Sequence, residues 1–370
     1  MNGVVPGPLP VLDAGPAPSR PPVLDIRDLS IAYATEQGLL HAVSHVNLTL
    51  APGEVVGLAG ESGSGKSTLV LGMTRLLRPP AIITSGSVRY RGRRVPDGVD
   101  ILELNAKELR RLRWREISIV FQSAMNALNP VLRIRDQLGD VLDAHLKLSR
   151  EERRSRLESL LDLIGVPRER LKSYPHELSG GMRQRIMIAM ALAVDPELVI
   201  MDEPTTALDV VVQREILEEI AQLQQELQFA IVFVTHDLSL LLEIADRIMI
   251  LYAGQLVELG TAQEVHYRTA HPYTRGLLES FPSVHGPRRQ LAGIPGSPPD
   301  LRSLPPGCPF APRCPHARPE CLGVDMHPIE VPGSLPGHIT ACPFVLPGGH
   351  EAAASASVQK KSRPALKAEL

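Results

Sequence analysis

Aromatic side chains are scarce, 4% of 370 residues with a single Trp. That is too few for a surface that grips nucleic acid by stacking bases on rings. Charge of one sign is not in excess either, since the formal net charge is −2. A broad basic footprint is therefore absent, which argues against a primary nucleic-acid binder and leaves room only for a local patch. No apolar run approaches the ~18–20 residues that cross a bilayer. The longest, Ile186 to Val194, reads as the core of a helix. The N-terminus has no basic start followed by an unbroken apolar run, so no secretory signal is expected. Together these absences predict a cytoplasmic chain whose membrane role, if any, comes through partners. Cysteine is nearly missing, with four residues, all between Cys308 and Cys342.

What is present is an ordinary globular composition, 44% hydrophobic and 22% charged, in a length that suggests about two domains. Residues 1–22 carry seven prolines and read as a disordered lead-in, and residues 351–370 as a disordered polar tail. Val23 to Tyr33 and His41 to Leu50 look like strands around a polar turn, and Ser85 to Val95 like further antiparallel strand. Ala106 to Trp114 reads as a basic helix, and 133–171 is helical with a solvated charged face. Glu54 to Ala59, Ile117 to Phe121, Leu198 to Met201, Ile231 to Val234 and Arg247 to Leu251 are short apolar strands separated by helical stretches. Such alternation implies a parallel α/β core. After about Gly260 comes a short helix near Leu277, then a proline-rich tract of little periodicity.

The chain is organised around Gly60-Glu61-Ser62-Gly63-Ser64-Gly65-Lys66-Ser67-Thr68, which fits the Walker A phosphate loop. Glycines let consecutive N–H groups turn inward onto a phosphate chain. Lys66 sets a cation against the β- and γ-phosphates, and the Ser67 hydroxyl suits Mg²⁺. A strand enters this loop and a helix leaves it, its positive N-terminus facing the same phosphates. Leu198 to Met201 followed by Asp202-Glu203 has the form of a Walker B strand. Asp202 would help hold Mg²⁺, and Glu203 would polarise an attacking water as general base.

Leu178-Ser179-Gly180-Gly181-Met182-Arg183-Gln184-Arg185 opens a second helix with Ser and two Gly, another anion-binding N-terminus that one nucleotide would not need. This stretch resembles the signature motif of the ATP-binding cassette (ABC) ATPases. The resemblance implies an ABC-type α/β fold, with a RecA-like parallel β core, an antiparallel β subdomain and an α-helical subdomain. It covers about residues 23–260, followed by a C-terminal extension over 261–350. It also implies a head-to-tail pair, in which the signature of one subunit closes on the γ-phosphate held by the other. Ser179, Gly180, Gly181 and Gln184 would then serve the partner's ATP, and Asp209, in the D-loop-like Ala207-Leu208-Asp209, would cross the interface. Tyr33 is similar to the aromatic that stacks on adenine, with a strand-end ring in the core as the lesser alternative. Gln122 matches the Q-loop glutamine, a Mg²⁺ and water contact, and His236 the switch histidine at the γ-phosphate. Met201 before Asp202 and Met182 in the signature depart mildly from common patterns, and neither removes a catalytic group.

Tyr174-Pro175-His176-Glu177 before the signature, Asn126-Ala127-Leu128-Asn129-Pro130 after Gln122, and the later His271-Pro272-Tyr273-Thr274-Arg275 and Gly293-Ile294-Pro295-Gly296 resemble the dipeptide and oligopeptide importer ATPases, more the first of their two paired ATPases. This implies a second homologous ATPase, two transmembrane permease subunits and an extracytoplasmic substrate-binding protein. The chain would sit on the cytoplasmic face of the membrane. The same subfamily also imports nickel and oligosaccharides, and a soluble, non-transporting cassette ATPase is the reading from another class.

Cys308, Cys314, Cys321 and Cys342 lie on loops, three of them followed by Pro. Their spacing lacks the close pairs of zinc ribbons. Cys-Pro steps are reminiscent of iron–sulfur ligation, and stable disulfides are disfavoured in cytoplasm. The related importer ATPases imply a [4Fe–4S] cluster here. Zn²⁺ and plain reduced thiols are the alternatives, and a redox-sensing role is a further reading.

Overall fold

The computed structural model describes residues 21–122, 127–206, 208–280 and 293–344. The expected tail over 351–370, all but two residues of the expected lead-in, Asn126 and Ala207 lie outside them. Two sheets carry the fold. The first is antiparallel, ordered β2 (Gly38–Leu50), β1 (Leu24–Thr35), β4 (Ala81–Gly92) and β5 (Val95–Asp100). The expected single strand over 85–95 is thus two, because Gly92 to Val95 closes a hairpin.

The second sheet has the order β11 (Ile329–Glu330), β12 (Ile339–Thr340), β10 (Gln255–Thr261), β9 (Arg247–Tyr252), β3 (Val55–Ala59), β8 (Ala230–Val234), β7 (Leu198–Asp202) and β6 (Ile117–Val120). Its parallel part is β9, β3, β8, β7 and β6. The apolar runs are continuous because both faces are covered. Val55 and Ala59 join one core, and Val56 and Leu58 the other. Val199 and Met201 divide from Leu198 and Ile200 in the same way. One core packs the antiparallel sheet and α1 (Lys66–Met73) against the central strands, with α2 (Ala106–Leu112) at its margin. The other takes helices α3 (Ile134–His145), α4 (Arg150–Leu163), α5 (Gly180–Leu192), α6 (Val210–Leu227) and α7 (Leu238–Ile244). The charged run at Arg150 starts α4 through a capping box, with Ser149 and Glu152 bonding each other's backbone N–H. Leu157, Leu160 and Leu161 form its buried face.

The sheet continues past residue 260. Strand β10 (Gln255–Thr261) pairs antiparallel with β9, and β12 (Ile339–Thr340) pairs with β10 and with β11 (Ile329–Glu330). Between them run α8 (Ala262–Tyr267) and α9 (Pro272–Glu279). This tract is held by a buried polar knot rather than by periodicity. Glu258, wholly buried on β10, accepts from the Ala270 and His271 backbone N–H groups at 2.8 and 3.0 Å, and meets His338 Nε2 at 3.0 Å. Among the described residues no helix is long and apolar enough to cross a membrane.

Candidate functional site

Parallel neighbours end on the same side, so four chain segments meet at the C-terminal edge of the sheet. The pairings Leu58↔Val234, Asp202↔Val234 and Val120↔Met201 bring the residues after β3, β8, β7 and β6 together. Open α/β sheets bind ligands at this edge.

The loop after β3 needs its glycines. Gly60 and Gly65 have φ of 147° and 99°. A Cβ on Gly60 would come 2.3 Å from the Leu251 carbonyl oxygen, and one on Gly65 2.5 Å from that of Ala42. Lys66 is buried, and its ammonium donates to the carbonyls of Gly60 and Glu61 at 2.7 and 2.8 Å and to Ser64 Oγ at 3.4 Å. Burial lowers the Lys66 pKa, against the pull of Glu203, Asp202 and Glu61. Ser62, Gly63 and Ser67 are exposed. Tyr33, half-buried at the end of β1, places its hydroxyl 3.1 Å from Thr68 Oγ1, beside the first turn of α1.

Asp202 ends β7 and is buried, with Oδ1 lacking any hydrogen-bond partner. Burial holds its carboxyl above the usual range, while a hydrogen bond from Ser67 opposes this. An orphaned carboxylate oxygen beside a hydroxyl is a donor set suited to a hard cation, so these residues fit Mg²⁺. Gln122 is engaged elsewhere. Its Nε2 donates to Glu203 Oε2 at 2.9 Å, the same oxygen that accepts from Thr206 Oγ1 at 3.0 Å. His236 Nδ1 lies 3.1 Å from the other oxygen, Oε1. Glu203 itself has φ of 47°, uncommon for a residue with a side chain, and its N–H donates to the Val234 carbonyl at 2.9 Å. Gln122, Glu203 and His236 are thus gathered from three strand ends onto one carboxylate.

Ser179 caps α5 on the exposed surface, its Oγ accepting from Met182 N–H at 3.3 Å. Asp209 caps α6 in the same way through Val212 N–H at 3.0 Å. The two caps are adjacent, since a Cβ on Gly181 would lie 2.9 Å from Val212 Cγ1. Next to them Val210 and Val211 are 80% and 69% exposed. Gln184 differs from this exposed group. It is 1% exposed and its Nε2 has no partner, whereas contact with a neighbour's nucleotide would need an accessible amide.

All four cysteines are free thiols lining one cavity of about 60 Å³, together with His271, Phe310 and Phe344. Burial pushes the Cys308 thiol up to about 11 and raises Cys314 and Cys342. Nearby backbone amides offset this in part. Phe310 and Ala311 face Cys308, His316 faces Cys314, Phe344 faces Cys342, and Arg318 N–H lies 3.4 Å from Cys321 Sγ. Among the described residues no three His, Cys, Asp or Glu side chains gather closely enough to hold a metal ion. Neither a tetrahedral Zn²⁺ nor an iron–sulfur cluster therefore finds a preformed ligand set among these residues. The four thiols nonetheless line one cavity, so the soft sulfur donors that either group takes are brought to one place.

The sequence reading missed Arg313. Its guanidinium, five residues from Cys308 and one from Cys314, donates to Glu61 Oε2 and Oε1 at 2.6 and 2.9 Å. The available signal is an Arg set directly against Cys314 in a proline-rich tract, but its partner stands 252 residues away.

Comparison with known proteins places this geometry among relatives. The family described as "ABC transporter" matches residues 43–206, and "Oligopeptide/dipeptide transporter, C-terminal region" matches 257–321. The chain is 44% identical to the dipeptide transport ATP-binding protein DppD of Bacillus subtilis over 302 residues, 81% of this chain and 88% of the relative. It is also 44% identical to the oligopeptide transport ATP-binding protein OppD of Salmonella typhimurium over 322 residues, 86% and 93% of the two chains. Among solved structures, a dimeric post-hydrolysis state of the ATP-binding cassette MJ0796 bound to ADP and Pi superposes with a TM-score of 0.56 at 29% identity, covering 65% of this chain and 98% of that one. The cassette cbiO1 of Clostridium perfringens, part of the transporter complex cbiONQ, gives 0.57 at 28% identity, covering 66% and 91%.

Proposed function

The chain belongs to the ABC transporter ATPases, carries the C-terminal region of the oligopeptide and dipeptide transporters, and is an ATP-hydrolysing subunit; from that premise we propose that it powers import of dipeptides or oligopeptides. The observation that carries the reading is the presence, in one chain, of Gln122 and His236 gathered on Glu203 beside the phosphate loop and of that C-terminal region. Residues 23–260 form the nucleotide-binding domain and 261–350 the C-terminal domain.

Lys66 and the loop amides from Gly60 to Thr68 bind the phosphates, and Tyr33 lies on the adenine side. Ser67 and Asp202, with Gln122 through its amide oxygen, would hold Mg²⁺, which neutralises charge on the phosphates. Glu203 takes a proton from the attacking water. Its two oxygens are fixed by Gln122, Thr206 and His236, so the base is oriented before the nucleotide is cleaved. The exposed caps Ser179 and Asp209, with Gly180 and Gly181, serve the site of a second homologous ATPase in a head-to-tail dimer. Exposed Val210 and Val211 beside them suit burial in that interface. Phe121, Val131 and Leu132, exposed around the Gln122 segment, suit contact with two transmembrane permease subunits. An extracytoplasmic binding protein would deliver the solute, and this chain would work on the cytoplasmic face.

Cys308, Cys314, Cys321 and Cys342 would hold a [4Fe–4S] cluster in a structural role. Such a cluster supplies a cross-link between loops and a one-electron redox centre. Anaerobic purification of the full chain should yield a brown protein with about four iron and four acid-labile sulfide per chain. A colourless protein, or one holding zinc, would reject the cluster.

The function is tested by capturing the tagged chain from its own membranes. Recovery of a second ATPase, two membrane chains and bound peptide is expected. Recovery with ribosomes or DNA instead would overturn the transporter reading, and a bound sugar or nickel would overturn the peptide.

A further inference from the structure

The segment between Cys308 and Cys314 does not only line its own cavity. Arg313 leaves it to reach the phosphate loop. Its side chain is 6% exposed, and its two terminal nitrogens grip both carboxylate oxygens of Glu61. Nε donates to the Pro295 carbonyl at 2.8 Å, and Nη1 lies 3.3 Å from Tyr252 Oη. Glu61 is held a second time, because its backbone N–H donates to Tyr273 Oη at 2.8 Å. The carbonyl of that same residue accepts from Lys66 Nζ at 2.8 Å. One residue of the phosphate loop is thus fixed by side chain, N–H and C=O at once, two of the three from the C-terminal region.

We infer that Arg313 is a positioning residue for ATP binding, fastening the phosphate loop at Glu61 to the cysteine-bearing segment. The inference rests on reading the Lys66 loop as the ATP site. A bidentate Arg–carboxylate pair fixes direction as well as distance. Losing it frees a loop whose amides must all point at one phosphate chain, so the effect falls on affinity. The groups that cleave ATP lie after other strands and keep their own bonds.

The test is equilibrium binding of a fluorescent ATP analogue to the full chain, with ATP turnover measured in the assembled complex. Arg313→Met should raise the ATP Kd and KM about tenfold, within the range usual for coupling between sites, and change kcat at saturating ATP by less than about twofold. Arg313→Lys should recover part of the loss, since it restores the cation without the fork. Glu61→Gln should act in the same direction, and combining it with Arg313→Met should add little. If Arg313→Met does not fold, Glu61→Gln decides the matter alone. A lowered Tm with unchanged Kd and KM would mean an ordinary structural ion pair and overturn the inference. Lys66→Ala separates the two levels. If it also binds ATP normally, the reading of the loop fails; if it alone loses binding, the fastening by Arg313 fails.

Discussion

Glu203→Gln is expected to cut ATP turnover in the assembled complex by about a hundred- to ten-thousand-fold, the usual worth of a positioned general base, while ATP binding persists. The substitution keeps the size of the side chain and removes its basicity. It also disturbs the hydrogen-bond set, because the carboxylate accepts from Gln122 and Thr206 on one oxygen and faces His236 with the other. An amide supplies only one accepting oxygen, so it must turn toward one side. The fold should survive this, since Glu203 lies at the sheet edge and its N–H bond to Val234 is untouched. Single-turnover hydrolysis with bound ATP is the check. Turnover within about tenfold of wild type would remove Glu203 from the base role and leave the carboxylate as an organiser of Gln122 and His236.

Ser179→Arg is expected to spare ATP binding at this chain's own loop yet lower hydrolysis at the partner's site by about a hundredfold or more, the scale found when a preorganised donor to a charged transition state is lost. Ser179 is exposed and its local task is capping α5, so losing the cap costs about 1 kcal/mol and does not unfold the chain. A long side chain at that cap would occupy the place where a neighbour's phosphate must approach the helix N-terminus. The discriminating measurement pairs ATP affinity of the isolated chain with turnover of the complex. Unchanged affinity with lost turnover is the expected split. Full activity in the complex would show that the partner's nucleotide does not use this surface.

The catalytic elements were legible in the sequence because each is a short string with its own local chemistry. Gly60 to Thr68 needs only a strand before it and a helix after it, and Asp202-Glu203 needs only an apolar strand. The parallel order then carries Gln122 and His236 to them, as alternating strands and helices imply. What stayed hidden depends on contacts between distant residues. Strand β12, which pairs with β10 through Thr340 opposite Glu258, is two residues long and left no periodic trace in a tract rich in proline. The link from Arg313 to Glu61 is likewise invisible to spacing. Gln184 shows the opposite limit. Its place in a motif pointed outward, but helix α5 turns it inward among buried neighbours.

The most direct test of the proposed import function uses the purified complex in sealed vesicles with a labelled dipeptide or short oligopeptide. ATP-dependent accumulation of the peptide, abolished by Glu203→Gln in this chain, is the expected result. Peptide accumulation that persists with Glu203→Gln, or ATP turnover by the wild-type complex that neither responds to peptide nor moves it, would contradict it.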